Sequence, residues 1–205
     1  MYLAVAGNIG AGKSTLTRLL SARYHLTPVF EAVDENPYLA DFYRDMSAYA
    51  FRSQVFFLAK RLEQHLGQVN TGDRIVQDRT IFEDAGVFAR NLFEQGMLTP
   101  RDFETYMGLY RALAQALRPP DLLLYLRAGV PTLQRRIAAR GRGFERDVGA
   151  DYLSKLNVLY ESWLADYVLS EVLTIDADEA DFLRQAEAGR LFETLEKRGL
   201  GVPVL

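Results

Sequence analysis

Gly7 and Gly12, separated by four residues and followed at once by Lys13 and Ser14, are residue types suited to wrapping backbone round a polyphosphate. Glycine lets N–H groups approach an anion with no side chain between. A helix opening at Lys13 aims the positive end of its dipole at the same point. Lys13 can reach the β and γ oxygens, and Ser14 can ligate Mg²⁺ whose other ligands are mostly water and phosphate. Residues 7–15, that is Gly7, Asn8, Ile9, Gly10, Ala11, Gly12, Lys13, Ser14 and Thr15, therefore read as a cradle for the phosphates of ATP. The bland alternative is a glycine-rich turn, but the run follows an apolar strand and opens a helical pattern, as phosphate binding demands. No Asn-Lys-x-Asp run and no Leu-Ser-Gly-Gly-Gln run occurs, which weakens guanine-nucleotide switch and transporter readings.

Asp78 and Arg79 follow the apolar pair Ile75-Val76 and so fall at the carboxyl end of a strand. A carboxylate there can take the proton of an attacking hydroxyl, and a guanidinium can neutralise charge on a phosphoryl group in transfer. Asp78 could also cap the next helix. Six arginines, Arg127, Arg135, Arg136, Arg140, Arg142 and Arg146, lie within twenty residues of a chain whose net charge is −3. Arg136 and Arg140 are four apart on one helix face, and Gly141 and Gly143 supply a hinge, so a lid over about 136–147 that closes on triphosphate is the natural reading. The rival, a basic helix for nucleic acid or lipid, lacks interleaved aromatics.

The elements that must position these groups follow from periodicity. Strand-length apolar runs fall at Tyr2–Ala6, Thr27–Phe30, Arg74–Gln77, Leu122–Leu126 and Val172–Ile175. Helical patterns separate them at Lys13–Tyr24, Ala48–Val69, Ile81–Gln95, Pro100–Leu117, Pro131–Ala139 and Ala150–Leu169, and a last one spans Ala180–Arg198. The alternation predicts an α/β P-loop fold: a five-stranded parallel sheet flanked by helices on both faces, with its site at the strands' carboxyl ends. With 205 residues, 49% hydrophobic and 25% charged, and with no linker or repeat, residues 1–205 read as one domain. The net charge does not suit coating a nucleic acid polymer or a membrane. The chain has no cysteine, which excludes disulfides and thiolate chemistry. Without a signal peptide or an apolar run of about 18 residues, the expected location is the cytoplasm. His25 and His65 stand alone and read as surface residues.

The cradle, Phe30-Glu31, Asp34-Glu35-Asn36-Pro37-Tyr38-Leu39, Gln54, Asp78-Arg79-Thr80 and Tyr160-Glu161-Ser162-Trp163-Leu164 together resemble the deoxycytidine, deoxyguanosine and deoxyadenosine kinases, in collinear order over most of the chain. The resemblance implies that Asp78, where some members carry Glu, is the general base for a nucleoside 5′-hydroxyl, with Arg79 beside it and Glu31 near that hydroxyl. It implies Gln54 on the base edge, an Arg61–Asp84 pair over the base that favours cytosine or purines, and Phe88 stacked on the base. Tyr43 and Glu145 match positions that bond the 3′-hydroxyl. Arg136, Arg140 and Arg142 would contact ATP phosphates, Arg135 would face solvent, and Asp176 and Asp178 would lie in an adenine-binding loop whose contacts are mostly backbone. Read by residue type alone, Glu31 could be a solvated strand-end acid, Gln54 a surface residue, Arg61–Asp84 a structural pair and Phe88 core. A homodimer is expected from the family. The Asp34-Glu35-Asn36-Pro37 run looks like bacterial purine deoxynucleoside kinases, which points to deoxyadenosine or deoxyguanosine as substrate. The alternatives are a deoxycytidine-preferring kinase, a thymidylate-type monophosphate kinase, or, from another class, a nucleotide-dependent switch or binding protein.

Overall fold

A computed structural model describes residues 1–145, 148–179 and 185–200. Its sheet has five parallel strands, β1 (Tyr2–Gly7), β2 (Thr27–Val29), β3 (Ile75–Asp78), β4 (Leu122–Arg127) and β5 (Glu171–Asp176), in the order β2-β3-β1-β4-β5. The central strand carries the physics. All six β1 residues are buried, so both faces of the sheet are covered there, and the run Tyr-Leu-Ala-Val-Ala needs no polar alternation. β1 pairs with β3 through Val5↔Asp78 and with β4 through Gly7↔Leu126. The phosphate loop and Asp78 therefore leave neighbouring strands at the same end. Strand order reverses on either side of β1, and the crevice this opens is where ligands bind in such sheets.

Helix α1 (Lys13–Tyr24) buries Leu16, Leu20 and Tyr24 and stops where His25 turns left-handed at φ 52°. A short helix α2 (Leu39–Arg44), absent from the sequence reading, follows a single 3₁₀ turn and buries Leu39 and Phe42. Six residues are too few for periodicity to register. Helix α3 (Met46–Gln64) begins two residues earlier than expected because the Asp45 carboxylate accepts the Ala48 N–H at 3.0 Å, and it runs on into a π-helical turn, His65–Val69. The buried face of this helix is mostly polar: Ser53, Gln54, Arg61 and His65 lie on it beside Ala50 and Leu58.

That face corrects one expectation. His65 is buried, not on the surface, with Nε2 2.9 Å from the Arg118 carbonyl and its ring edge-on to Tyr2 and Phe82. Burial lowers its pKa. Residue type misled because a histidine standing alone beside Gln64 reads as solvated, whereas its place four residues after Arg61 puts it on the inward stripe.

The helix expected over 81–95 is three pieces: α4 (Ile81–Glu83), a π-helical turn (Asp84–Ala89) and α5 (Arg90–Glu94). Helices α6 (Pro100–Ala114), α7 (Val130–Arg140), α8 (Ala150–Ala165) and α9 (Gln185–Lys197) complete the chain. Thr99 caps α6 through the Asp102 N–H, with Pro100 in the first turn. Residues 180–184 of the last predicted helix, and Arg146, lie outside the described residues. The main core gathers round the sheet, and a smaller cluster of Leu58, Ile81, Phe82, Ala85, Ala89, Tyr106 and Leu117 packs α3 against α4 and α6.

Candidate active site

A cavity of about 730 Å³ opens at the carboxyl ends of β1 and β3. One wall is the loop from β1 to α1. Its glycines take backbone angles that residues with side chains rarely adopt, with φ 146° at Gly7, 83° at Gly10 and 103° at Gly12. A Cβ on Gly10 would lie 2.9 Å from the Leu133 carbonyl oxygen, so the loop passes α7 at backbone contact. Ile9, Gly10, Gly12, Lys13, Ser14 and Thr15 line the cavity, whereas Gly7, Asn8 and Ala11 do not. Asn8 instead faces away: its amide donates to the Leu153 carbonyl at 2.9 Å and to Asn157 at 2.7 Å, tying the loop to α8. Lys13 is buried, with Nζ 3.0 Å from the Asn8 carbonyl, and burial, reinforced by Arg79, lowers it to about 8. A phosphate in the cradle would favour its charged form.

Asp78 ends β3 inside the cavity. Ser14 Oγ donates to its Oδ2 at 2.5 Å, while Oδ1 is buried with no hydrogen-bond partner among the described residues. An acceptor left so would be costly without a ligand. The hydroxyl and carboxylate also offer oxygens of the kind Mg²⁺ takes alongside phosphate and water. Among the described residues no cluster of three or more His, Asp or Glu could hold a metal alone, so such an ion would need the phosphates.

Arg79 is left-handed at φ 68°, and its N–H is held by the Val5 carbonyl at 3.0 Å. That conformation costs roughly 1–3 kcal/mol in a residue with a side chain and persists where the surroundings impose it. It turns the guanidinium into the cavity, Nε 3.1 Å from Glu31 and the carbon 4.0 Å above the Phe88 ring. Glu31 also receives Arg61 at 2.5 Å. Burial alone would raise the Glu31 carboxyl, but Arg79, Arg61 and Lys13 outweigh it and hold it at about 2. The other edge of Arg61 lies 2.5 Å from Asp84. Burial pushes Asp84 up to about 7 against the pull of Arg61.

Gln54 lines the same wall with its amide oxygen buried and without a hydrogen-bond partner among the described residues. Tyr43 lines the cavity and stacks on Phe144 at 5.8 Å. Three residues that the sequence reading missed join them. Phe57 sits between Gln54 and Arg61 on one helix face, 5.0 Å from the Arg61 guanidinium, and Arg18 lies one turn beyond Ser14. Tyr152 lines the wall from α8. Helical spacing from the residues already chosen could have found the first two; Tyr152 carries no such signal.

The arginine-rich segment divides. Arg136, Arg140 and Arg142 line the cavity, while Arg127 is bound to Glu161 on the surface and Arg135 is exposed. Arg127 is thus no part of a phosphate patch, because β4 carries it to the strand end beside α8. Arg136 donates to the carbonyls of Ala11 at 3.0 Å and Ala177 at 2.8 Å, bridging the phosphate loop and the turn after β5. Arg140 and Arg142 both meet Glu145, at 2.5 Å and 3.5 Å, and Glu145 is buried. The carboxylates of Asp176 and Asp178, both exposed, accept backbone N–H groups: Asp178 that of Gly129 at 2.9 Å and Asp176 that of Asp178 at 2.9 Å. A hydrogen bond from Thr132 is the main cause that lowers Asp178. Neither lines the cavity.

The deoxynucleoside kinase family model matches residues 3–197. A deoxyadenosine/deoxycytidine kinase of Bacillus subtilis is 35% identical, covering 88% of this chain and 84% of that protein. A deoxyguanosine kinase from the same organism is 34% identical, covering 89% of each. The structure of a deoxyadenosine kinase from M. mycoides with bound dATP superposes with a TM-score of 0.85 at 29% identity, covering 96% of this chain and all of that one.

Proposed function

This chain belongs to the deoxynucleoside kinase family, and on that premise we propose that it transfers the γ-phosphoryl group of ATP to the 5′-hydroxyl of a purine deoxynucleoside, deoxyadenosine or deoxyguanosine. The observation that carries the reading is Asp78 Oδ1, a buried carboxylate oxygen without a hydrogen-bond partner among the described residues, standing between the phosphate cradle and the Glu31–Gln54 wall. In this reading Asp78 takes the hydroxyl proton as the oxygen bonds to the γ-phosphorus and ADP departs. Lys13 holds the β and γ oxygens. Mg²⁺, held through Ser14 and the phosphates, would supply charge neutralisation. Arg79, fixed by Glu31, faces the group in transfer, and Arg140 and Arg142 reach the phosphates from a lid over about 136–147, of which 146–147 lie outside the described residues. Gln54, with its donor and acceptor, reads the base edge, Arg61 and Asp84 lie over it, Phe88 stacks on it, and Tyr43 and Glu145 hold the sugar. Asp178 and Asp176 shape the adenine loop while its backbone makes the contacts.

The purine preference is supported by relatives named deoxyadenosine and deoxyguanosine kinases. Deoxycytidine is the second reading, because one relative's name also includes that nucleoside. Family resemblance supports a homodimer. No helix among the described residues is long and apolar enough to cross a membrane, and we assign the reaction to the cytoplasm, where ATP is abundant. ADP release, measured with each of the four deoxynucleosides and with their monophosphates, tests the assignment. A purine deoxynucleoside should turn over fastest, and turnover confined to monophosphates would refute it. Asp78→Asn should lower kcat by about 10²–10⁴-fold while deoxynucleoside binding survives; near-normal turnover would remove Asp78 from its role.

A further inference from the structure

Glu83 and Tyr160 are buried, ionisable and unused by the reaction just described. Glu83 has no exposure at all, and Tyr160 none. Part of Glu83 is accounted for by local structure: its Oε1 accepts the Thr80 N–H at 3.2 Å and closes a capping box at the start of α4. Such a glutamate usually sits at a helix surface. Here burial raises the carboxyl against the pull of Arg79 and Lys13, and capping alone gives no reason for that cost.

The second oxygen supplies one. Oε2 lies 3.4 Å from the Gly7 N–H and 3.0 Å from the Tyr160 hydroxyl, and that hydroxyl is also 2.8 Å from the Gly7 carbonyl. Both polar groups of Gly7 are thus gripped by one pair of side chains. Gly7 is the hinge at which β1 becomes the phosphate loop, at φ 146° and with no room for a Cβ. The same carboxylate stands 4.0 Å from Arg79 Nε. The tyrosine cannot swing away, since its ring is stacked on Tyr125 at 5.6 Å and edge-on to Phe88 at 6.1 Å.

We propose that Glu83 and Tyr160 form a positioning pair that sets the phosphate loop and Arg79 in one frame, so that the two sides of the transferred phosphoryl group are aligned by a single buried carboxylate. The pair touches no substrate and acts through Gly7 and Arg79. Phosphoryl transfer depends on alignment, and a misplacement of about 1 Å can cost roughly a hundredfold in rate. The inference rests on the cradle binding a triphosphate, but not on which acceptor is used.

The test compares Tyr160→Phe, Glu83→Gln and the double variant with the parent chain. Affinity for a non-hydrolysable ATP analogue is measured by calorimetry, and kcat and KM by ADP release. Tyr160→Phe keeps the packed ring and removes one hydroxyl, so it remains informative where Glu83→Gln folds poorly. Each single variant should lose about tenfold in analogue affinity and in kcat while the deoxynucleoside KM stays within about twofold. The double variant should lose little more than the worse single one, as partners in one grip do. A lower melting temperature with analogue affinity and kcat within about twofold of the parent would reduce the pair to packing and overturn the proposal. A parent chain that binds the analogue but phosphorylates no deoxynucleoside would defeat the proposed function alone, leaving the pair to be judged on affinity; one that binds no analogue defeats both.

Discussion

Arg79 carries the clearest tension at the residue scale. Its left-handed backbone is unfavourable, yet it places a guanidinium between the Glu31 carboxylate and the Phe88 face. Lysine would keep the charge and lose both the fork and the stacked plane. Arg79→Lys should therefore lower kcat by at least about tenfold with a smaller change in deoxynucleoside KM, measured by steady-state kinetics. Much of this layer was legible in the sequence. Lys13, Glu31, Asp78 and Arg79 were chosen by type and spacing or by family resemblance, and all line one cavity. Glu83 and Tyr160 carried no assigned role, because a glutamate three residues after Thr80 has the spacing of a helix cap and Tyr160 stands only within the run Tyr160–Leu164 that carries the resemblance. Only the fold shows that both reach Gly7.

At the element scale, the segment after Arg79 read as one continuous helix. A π-helical turn has no residue signature that hydrophobic period can detect, since it adds one residue without changing which types are buried. Gly86 lies within that turn, and a Cβ there would stand 2.4 Å from Trp163. Gly86→Ala should destabilise the fold by about 1–3 kcal/mol, measured by denaturant unfolding. Helix α3 makes a second prediction through His65. Burial keeps its imidazole neutral, so its folded pKa lies below the value of about 6.5 that an unfolded chain shows. Its contribution is complete above that pH. As pH falls below it, the unfolded chain takes up a proton that the folded one refuses, and stability is lost. His65→Gln should show a flatter melting temperature than the parent between about pH 6.5 and 5. An unchanged slope would show that His65 titrates alike in both states. The interval lies well above the Glu31 carboxyl at about 2, and Asp84, which titrates in the opposite sense, is common to both chains.

At the scale of the molecule, the alternation of apolar runs with helical patterns was enough to predict five parallel strands. It carried no information on their order, which depends on which crossover packs on which face, nor on the cavity that the order creates beside β1. Because the cavity walls come from the β1–α1 loop, α3, the end of β3 and α7, a ligand filling it should stabilise the whole fold. At a hundred times its Kd, an ATP analogue should add about 2.7 kcal/mol, visible as a rise in melting temperature. Lys13→Ala should abolish that rise.

Asp84, Arg61, Glu31 and Arg79 stand side by side, each within 3.1 Å of the next, and above about pH 7, where Asp84 is ionised, their charges alternate in sign along the row. Such a row behaves as a balance. In the proposed reading, neutralising Asp84 would release Arg61 to draw Glu31 toward the base, and Arg79 would lose part of its hold at the far end. Redesign of base preference through Asp84→Asn should accordingly lower kcat as well as change which deoxynucleoside is chosen, and kinetics on an unaltered substrate would reveal it. In the proposed reading, the arginine that faces the phosphoryl group is, in electrical terms, wired to the edge that inspects the base.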